Sequence, residues 1–279
     1  MGPGPHRLCH PLQIRRRCHR TNTTLQHKIE TRQVNGDRLV RMRPSGLADR
    51  LDSLAGLFAA GLAPTGSADP FGLRRAALAV TQILSEKGID FDLRAALDAA
   101  LRQQPPTVQP ITDQLMTDLL AFLAGRLRGQ LLDVGYRYDV VDAVLVEQGH
   151  NPSKALQFVK QLSEWVKRAD WPPTLAAYSR CVRITRDQKE TYPFSVDKLI
   201  EPAEKTLHNA YQSASVKSAQ SVDEFFTALL PMIPAISKFF DDVLVMADDQ
   251  SLRENRLGLL QRIAGMAKGV ADFSKLEGF

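Results

Sequence analysis

SVDEFFTALLPMIPAISKFFDDVLVMADDQSLRENRLGLL, residues 221–260, decides how this chain folds. Two segments inside it open with the same signal. Ser221-Val222-Asp223-Glu224 and Ser251-Leu252-Arg253-Glu254 both fit the capping box, in which a serine hydroxyl and a glutamate carboxylate satisfy free backbone N–H groups at a helix start. Between them Phe225, Phe226, Leu229, Leu230, Ile233, Ile236, Phe239 and Phe240 form a heavily apolar stripe. Pro231 and Pro234 interrupt it and predict a break rather than one straight helix.

Upstream of this stretch the same language continues back to Leu47. Apolar residues recur at helical spacing, and the alternating strands bounded by Asn-Gly or Asp-Gly turns that would signal a sheet are missing. Asp69-Pro70 reads as a cap followed by proline in the first turn, opening a helix to about Lys87 that Gly88 ends. Asp92 to Leu101 is a short helix closed by Pro105-Pro106. Ile111 to Leu132 is a long one, with Leu115, Leu119, Phe122 and Leu123 on one face. Asp139 to Gln148 follows, ended by Gly149, and Asn151-Pro152 starts the next, running to about Arg168. Pro172-Pro173 opens another to Asp187, and Ser195 caps one that Pro202 kinks or restarts. No repeat of 20–50 residues is visible, which excludes a solenoid reading. The fold class expected is all-α, a multi-helix bundle.

Residues 1–46 do not share this pattern. They hold four of the six histidines, two of the three cysteines and the run Arg15-Arg16-Arg17, with sparse apolar residues of no period. Their ten Lys/Arg against two Asp/Glu give +8, whereas residues 47–279 carry 26 basic and 29 acidic residues, or −3. The expectation is a disordered basic tail over 1–46, because such a segment buries too little to offset its ordering entropy. The net charge of +5 therefore does not argue for nucleic acid, and any such surface must be a local patch.

Composition narrows the class further. With 44% hydrophobic and 24% charged residues the chain has ample side chain for a core. No apolar run reaches the roughly 18 residues that span a bilayer, and the first twenty residues hold no signal-peptide stretch, so no membrane partner is expected. Cys9, Cys18 and Cys181 do not suggest a disulfide framework, and a cytoplasmic location fits.

The residues that could carry catalytic or metal chemistry read as structural or solvated. Gly61-x4-Gly66-Ser67 lacks the lysine and the preceding strand of a phosphate loop, and reads as a connector. Cys9-His10 and Cys18-His19 are adjacent pairs that cannot easily both point at one zinc ion. Asp241-Asp242 and Asp248-Asp249 read as solvated or capping residues rather than as a metal or acid–base pair. His150 and His208 stand alone in sequence, and Cys181 reads as a buried, inert thiol. No catalytic residue, metal site or cofactor is expected in this chain.

Two basic sets remain. Arg180, Arg183, Arg186 and Lys189 recur every three residues near Tyr178 and Tyr192, a spacing that can follow a phosphate backbone beside stacking aromatics. Arg253, Arg256, Arg262 and Lys268 form the second set, with Asn255 suited to bidentate base contacts. A solvated helix face explains either set as well on periodicity alone.

Two longer stretches resemble one family. Leu47–Leu84, LADRLDSLAGLFAAGLAPTGSADPFGLRRAALAVTQIL, resembles the junction in glycine–tRNA ligase β subunits between an HD-like domain and the anticodon-binding domain, with A-D-R-L-D-S-L, S-A-D-P-F and L-R-R-A-A-L as its marks. Phe239–Leu260, FFDDVLVMADDQSLRENRLGLL, is similar to the last helices of the DALR-type anticodon-binding domain shared with arginyl-tRNA synthetases. The resemblance covers residues 47–279. It implies a remnant HD-like helix and linker at 47–68 and a helical tRNA-binding domain at 69–279. It further implies partnership with glycine tRNA and with an α subunit in a tetramer of two α and two β subunits. ATP and magnesium would act at the α subunit, which forms the glycyl-adenylate.

Among the residues that match the family, Arg253, Asn255 and Arg256 of L-R-E-N-R-L are carried over as tRNA-binding candidates, joined by Arg180, Arg183, Arg186, Lys189 and Arg262. Asn255 and Arg256 have a second reading, that they brace a helix pair, and Arg74 and Arg75 can equally touch RNA or pack. If Asp49 matches an HD-type metal ligand, its partners upstream are missing, so no metal site is expected. The abrupt change at Leu47 suggests a fragment whose first 46 residues are foreign to the family. A free-standing RNA-binding module, a non-functional fragment and a helical scaffold are the competing readings.

Overall fold

A computed structural model describes residues 44–105, 111–214 and 218–279, all helix and connection with no strand among them. The expectation for the tail and the two Cys-His pairs lies outside these residues, except that Pro44–Gly46 already belong to the first helix. The chain packs as two compact units, one of the described residues up to 130 with 149–153, the other of residues 131–148 and 154–279.

The first unit is built from α1 (Pro44–Ala59), α2 (Leu73–Glu86), α3 (Leu93–Leu101) and most of α4 (Asp113–Asp133). Leu47, Leu51 and Leu54 of α1 share one core with Leu73, Val80 and Leu84 of α2, Leu93 and Leu97 of α3, and Leu119 and Leu123 of α4. Each of these side chains contributes about 1.5–3 kcal/mol by leaving water. This core runs across the boundary expected between residues 68 and 69, since α1 packs with the helices that follow.

The start of α2 needs correction. Asp69 does cap it, accepting the N–H groups of Leu73 at 2.8 Å and Arg74 at 3.0 Å, but the helix begins three residues later than expected. Gly72 sits at φ 68°, a left-handed conformation that cannot belong to the helix, so Pro70 lies in a turn before it. Gly88, at φ 63°, ends α2 as the sequence predicts. Asp92 caps α3 through the N–H groups of Arg94 and Ala95.

The second unit contains α5 (Tyr138–Gln148), α6 (Pro152–Trp165, from Lys154 on), α7 (Trp171–Arg186), α8 (Pro202–Ser213), α9 (Val222–Leu229), α10 (Ile233–Asp242) and α11 (Gln250–Ala264). The predicted break at Pro231 and Pro234 is present as a 3₁₀ turn, Leu230–Met232, between α9 and α10. Its effect is to turn the apolar stripe into two short helices, of which α9 brings Phe225 and Phe226 into an aromatic cluster. Phe225 stacks on Phe273 at 4.9 Å, Phe226 lies 4.9 Å from Trp165 and 5.2 Å from Trp171, and Tyr178 meets Phe225 edge-on at 5.1 Å. Tilted and edge-on rings at such distances add to the area they bury.

Two helix starts differ from expectation, and a third keeps its serine cap without the full box. Ser195 opens only a 3₁₀ turn, Val196–Lys198, and α8 starts afresh at Pro202 with Glu204 accepting the N–H groups of Glu201 and Ile200. At α9 Ser221 caps Glu224 as expected, while the Glu224 carboxylate reaches back to Gln220 N rather than to Ser221 N. At α11 the cap is Asp249, which accepts from Leu252 N at 3.0 Å, so Ser251 lies inside the helix and accepts a bond from Lys198 Nζ instead.

Candidate nucleic-acid interface

α7 carries the first basic set on a helix whose other side is fixed by burial. Leu175, Tyr178 and Cys181 are buried, and Tyr178 donates its hydroxyl to Ala264 O at 2.7 Å, tying α7 to the end of α11. Cys181 is buried as expected, and that burial pushes its thiol up to about 12, which disfavours the reactive thiolate. Arg180, Arg183 and Arg186 then fall on the exposed side, and Lys189 continues them past the helix end. Arg180 lies 4.4 Å over the Phe240 ring and 3.6 Å from Asp241, and Arg183 lies 5.7 Å over Phe279. These aromatic seats restrict the guanidiniums while leaving them in solvent. Arg183 and Arg186 also complement the negative end of the α7 dipole.

Residues 187–199 form a strap between α7 and α8 that runs against α11. Gln261 accepts from Tyr192 N at 2.9 Å and donates to Glu190 O at 2.8 Å. Asn255 treats Ser195 the same way, accepting from its N–H at 2.7 Å and donating to its carbonyl at 3.1 Å. Between these two clamps lies Gly258, where a Cβ would stand 2.9 Å from Tyr192 O and 3.0 Å from Pro193 O. Arg262 lies 4.8 Å over the ring of Phe194, a strap residue that also packs against His208.

The structure therefore separates the eight candidate residues. Arg180, Arg183, Arg186, Lys189 and Arg262 are exposed and follow α7 into the strap and across to α11. Arg253 is half-buried and donates to Ala247 O at 3.0 Å. Asn255 and Arg256 are buried, 3% and 7% exposed, which fits their second reading as braces. Asn255 has both ends of its amide on Ser195, while Arg256 pairs with Glu204 and donates to Leu244 O at 2.9 Å. Sequence reasoning missed Gln261, Phe194 and Gly258. Gly258 alone left a signal, a glycine inside a capped helix where only a close approach of another backbone explains it.

The glycyl-tRNA synthetase beta subunit family model matches residues 37–146. The β subunit of glycine–tRNA ligase from Myxococcus xanthus (strain DK1622) is 40% identical over 248 residues, which is 83% of this chain and 35% of that protein. The chloroplastic/mitochondrial glycine–tRNA ligase 2 of Arabidopsis thaliana is 36% identical over 237 residues, 84% of this chain and 22% of that protein. The β subunit from Moorella thermoacetica (strain ATCC 39073 / JCM 9320) is 36% identical over 240 residues, 83% of this chain and 34% of that protein. The chain thus spans about a third of the length of these bacterial relatives. Among the described residues no helix is long and apolar enough to cross a membrane.

Proposed function

The chain belongs to the glycyl-tRNA synthetase β-subunit family, and we propose that it is the part that grips glycine tRNA through the exposed cations of α7, the strap and α11. On this reading it is a cytoplasmic ligase-subunit segment with no catalytic centre of its own. It holds tRNA while an α subunit, the partner in a tetramer of two α and two β subunits, charges it with glycine. ATP and magnesium then belong to the α subunit.

The observation that carries the proposal is that Arg262, from the second basic set, sits on the strap into which α7 leads the first. α7 leads Arg183 and Arg186 into Lys189, and Arg262 of α11 is seated on Phe194 of the same strap. Cations so arranged along a surface follow a phosphate backbone, and the aromatic seats of Arg183 and Arg262 reduce the side-chain entropy lost on binding.

The test is binding of the full chain to a glycine tRNA transcript across a salt series, beside the same transcript with an altered anticodon. Binding that weakens steeply with salt supports the proposal, and the slope counts the phosphates engaged. Absence of binding at low salt overturns it.

A further inference from the structure

We infer that the strap, residues 187–199, reads unpaired bases of the bound RNA, and that Asn255 and Gln261 are positioning residues that hold it in register for this task. The inference rests on the proposed tRNA-binding role and says which part of the surface carries sequence discrimination.

An exposed connector between two helices is ordinarily among the more mobile parts of a fold, because nothing fixes its backbone. This one is fixed twice over. Two side-chain amides from α11 each take one strap N–H and one strap carbonyl, at Tyr192/Glu190 and at Ser195. A bond pair of this kind sets register as well as position, since a shift by one residue breaks both members. Gly258 then lets the strap backbone lie directly on α11, at the cost of a glycine in a helix interior. A connector that served only to reach α8 would need none of this.

The clamps occupy the inner side of the strap and leave its outer side to solvent. Lys189, Thr191, Pro193, Val196 and Lys198 are exposed, and Tyr192 is half-buried. These supply apolar surface on which an unpaired base can lie and short polar groups for base edges, the means by which single-stranded RNA is read. The flanks supply phosphate contacts. Arg183, Arg186, Lys189, Lys198 and Arg262 are set against Asp187, Glu190 and Asp197, a positive balance within a chain whose residues 47–279 are net negative. Phosphate contacts position a nucleic acid and base contacts specify it, so the two functions fall on separate residues here. The clamps are neutral amides, so the register they impose does not weaken as salt is raised.

This separation makes the inference testable with the full chain and the same two tRNA transcripts, by the ratio of their affinities and by the salt slope. Gln261→Ala and Asn255→Ala are expected to lower the preference for the native anticodon at least tenfold while leaving the salt slope as in the parent. Gln261→Glu, which keeps the bond from Tyr192 N and loses the one to Glu190 O, is expected to fall between. A second variant, Thr191→Ala with Val196→Ala, changes only exposed side chains and leaves both clamps in place, so it does not depend on how well the clamp variants fold. It is expected to reduce the preference with an unchanged melting temperature. Retention of the parent's anticodon preference in this variant and in a folded Gln261→Ala overturns the inference. So does a parent chain that binds both transcripts equally, which leaves the tRNA-binding reading standing. A parent that binds neither transcript overturns both.

Discussion

Arg256 and Glu204 form a buried ion pair, 52 residues apart in sequence, with side chains 8% and 1% exposed and Nε 2.5 Å from Oε1. Each charge has further partners. Arg256 Nη1 donates to Leu244 O, and Glu204 Oε2 accepts from Ile200 N and Glu201 N, so one pair joins α11, the start of α8 and the segment after α10. Removing one partner of such a pair leaves an uncompensated buried charge. Arg256→Ala is expected to destabilise the second unit by about 3–5 kcal/mol. Glu204→Ala is expected to cost a similar amount. Chemical denaturation followed by circular dichroism measures both, and a change below about 1 kcal/mol would show that the pair contributes no more than a surface bridge.

What could be read in the sequence follows the same division between local and distant. The proline pair 172–173, Gly88, and the break at Pro231 and Pro234 are set by backbone geometry within a few residues, and the structure has them where the pattern puts them. The start of α11 is not decidable this way, because Asp249 with Leu252 satisfies the cap as well as Ser251 with Glu254, and only the bond from Leu252 N to Asp249 in the folded chain shows which one serves. Asn255 was legible as a residue able to make two bonds at once. That both would go to the backbone of Ser195, 60 residues away, depends on packing that no local window contains.

Asp139 gives an acid-sensitive contact near the end of the chain. Burial pushes its carboxyl up, but the Glu277 N–H, the Arg137 guanidinium and the Val140 N–H together outweigh burial and hold it below the usual carboxylate range. A folded value below the unfolded one means the contribution is fully present above the unfolded value near 4 and is lost as pH falls through the folded value. Melting temperature should therefore fall more steeply below about pH 4 in the parent than in Asp139→Asn, which should already be less stable at pH 7. Parallel melting curves of the two proteins from pH 7 to pH 2 would remove Asp139 from the account.

Gly258→Ala probes the contact between strap and helix. The added methyl meets backbone atoms, Tyr192 O and Pro193 O, which cannot rotate away as a flexible side chain would. Alanine favours the helix by about 1 kcal/mol on propensity alone. Overpacking against fixed backbone costs about 1–3 kcal/mol, so the net change is expected to be destabilising. Limited proteolysis should also show faster cleavage within residues 187–199, and a variant more stable than the parent with an uncut strap would show that the strap yields freely.

Cys181 should be silent to thiol reagents in the native state. It is fully buried, and its thiol is pushed up to about 12 by that burial, so almost no thiolate exists at pH 8 to react. Labelling with a maleimide at pH 8, followed by peptide mass analysis, should leave Cys181 unmodified until denaturant is added. Modification in the native protein on the timescale of a free thiol would mean that α7 opens locally far more often than its packing on α11 suggests.

Arg186 and Arg256 distinguish a cation that faces a ligand from one that holds the fold, and the contrast tests the assignment of the basic set. Arg186 is exposed at the last turn of α7, whereas Arg256 is buried on Glu204. If Arg186 contacts a phosphate, Arg186→Ala removes one counterion-releasing contact. The slope of log affinity against log salt should then fall by about 0.7–0.9, with the melting temperature unchanged and the preference for the native anticodon intact. In Arg256→Ala the lost charge was never in contact with RNA, so the protein that remains folded should bind with the parent's slope. The two variants remove the same formal charge, so any effect of net charge alone would appear equally in both. Equal slopes in Arg186→Ala and the parent would show that α7 presents a solvated face there and that the phosphate contacts lie elsewhere.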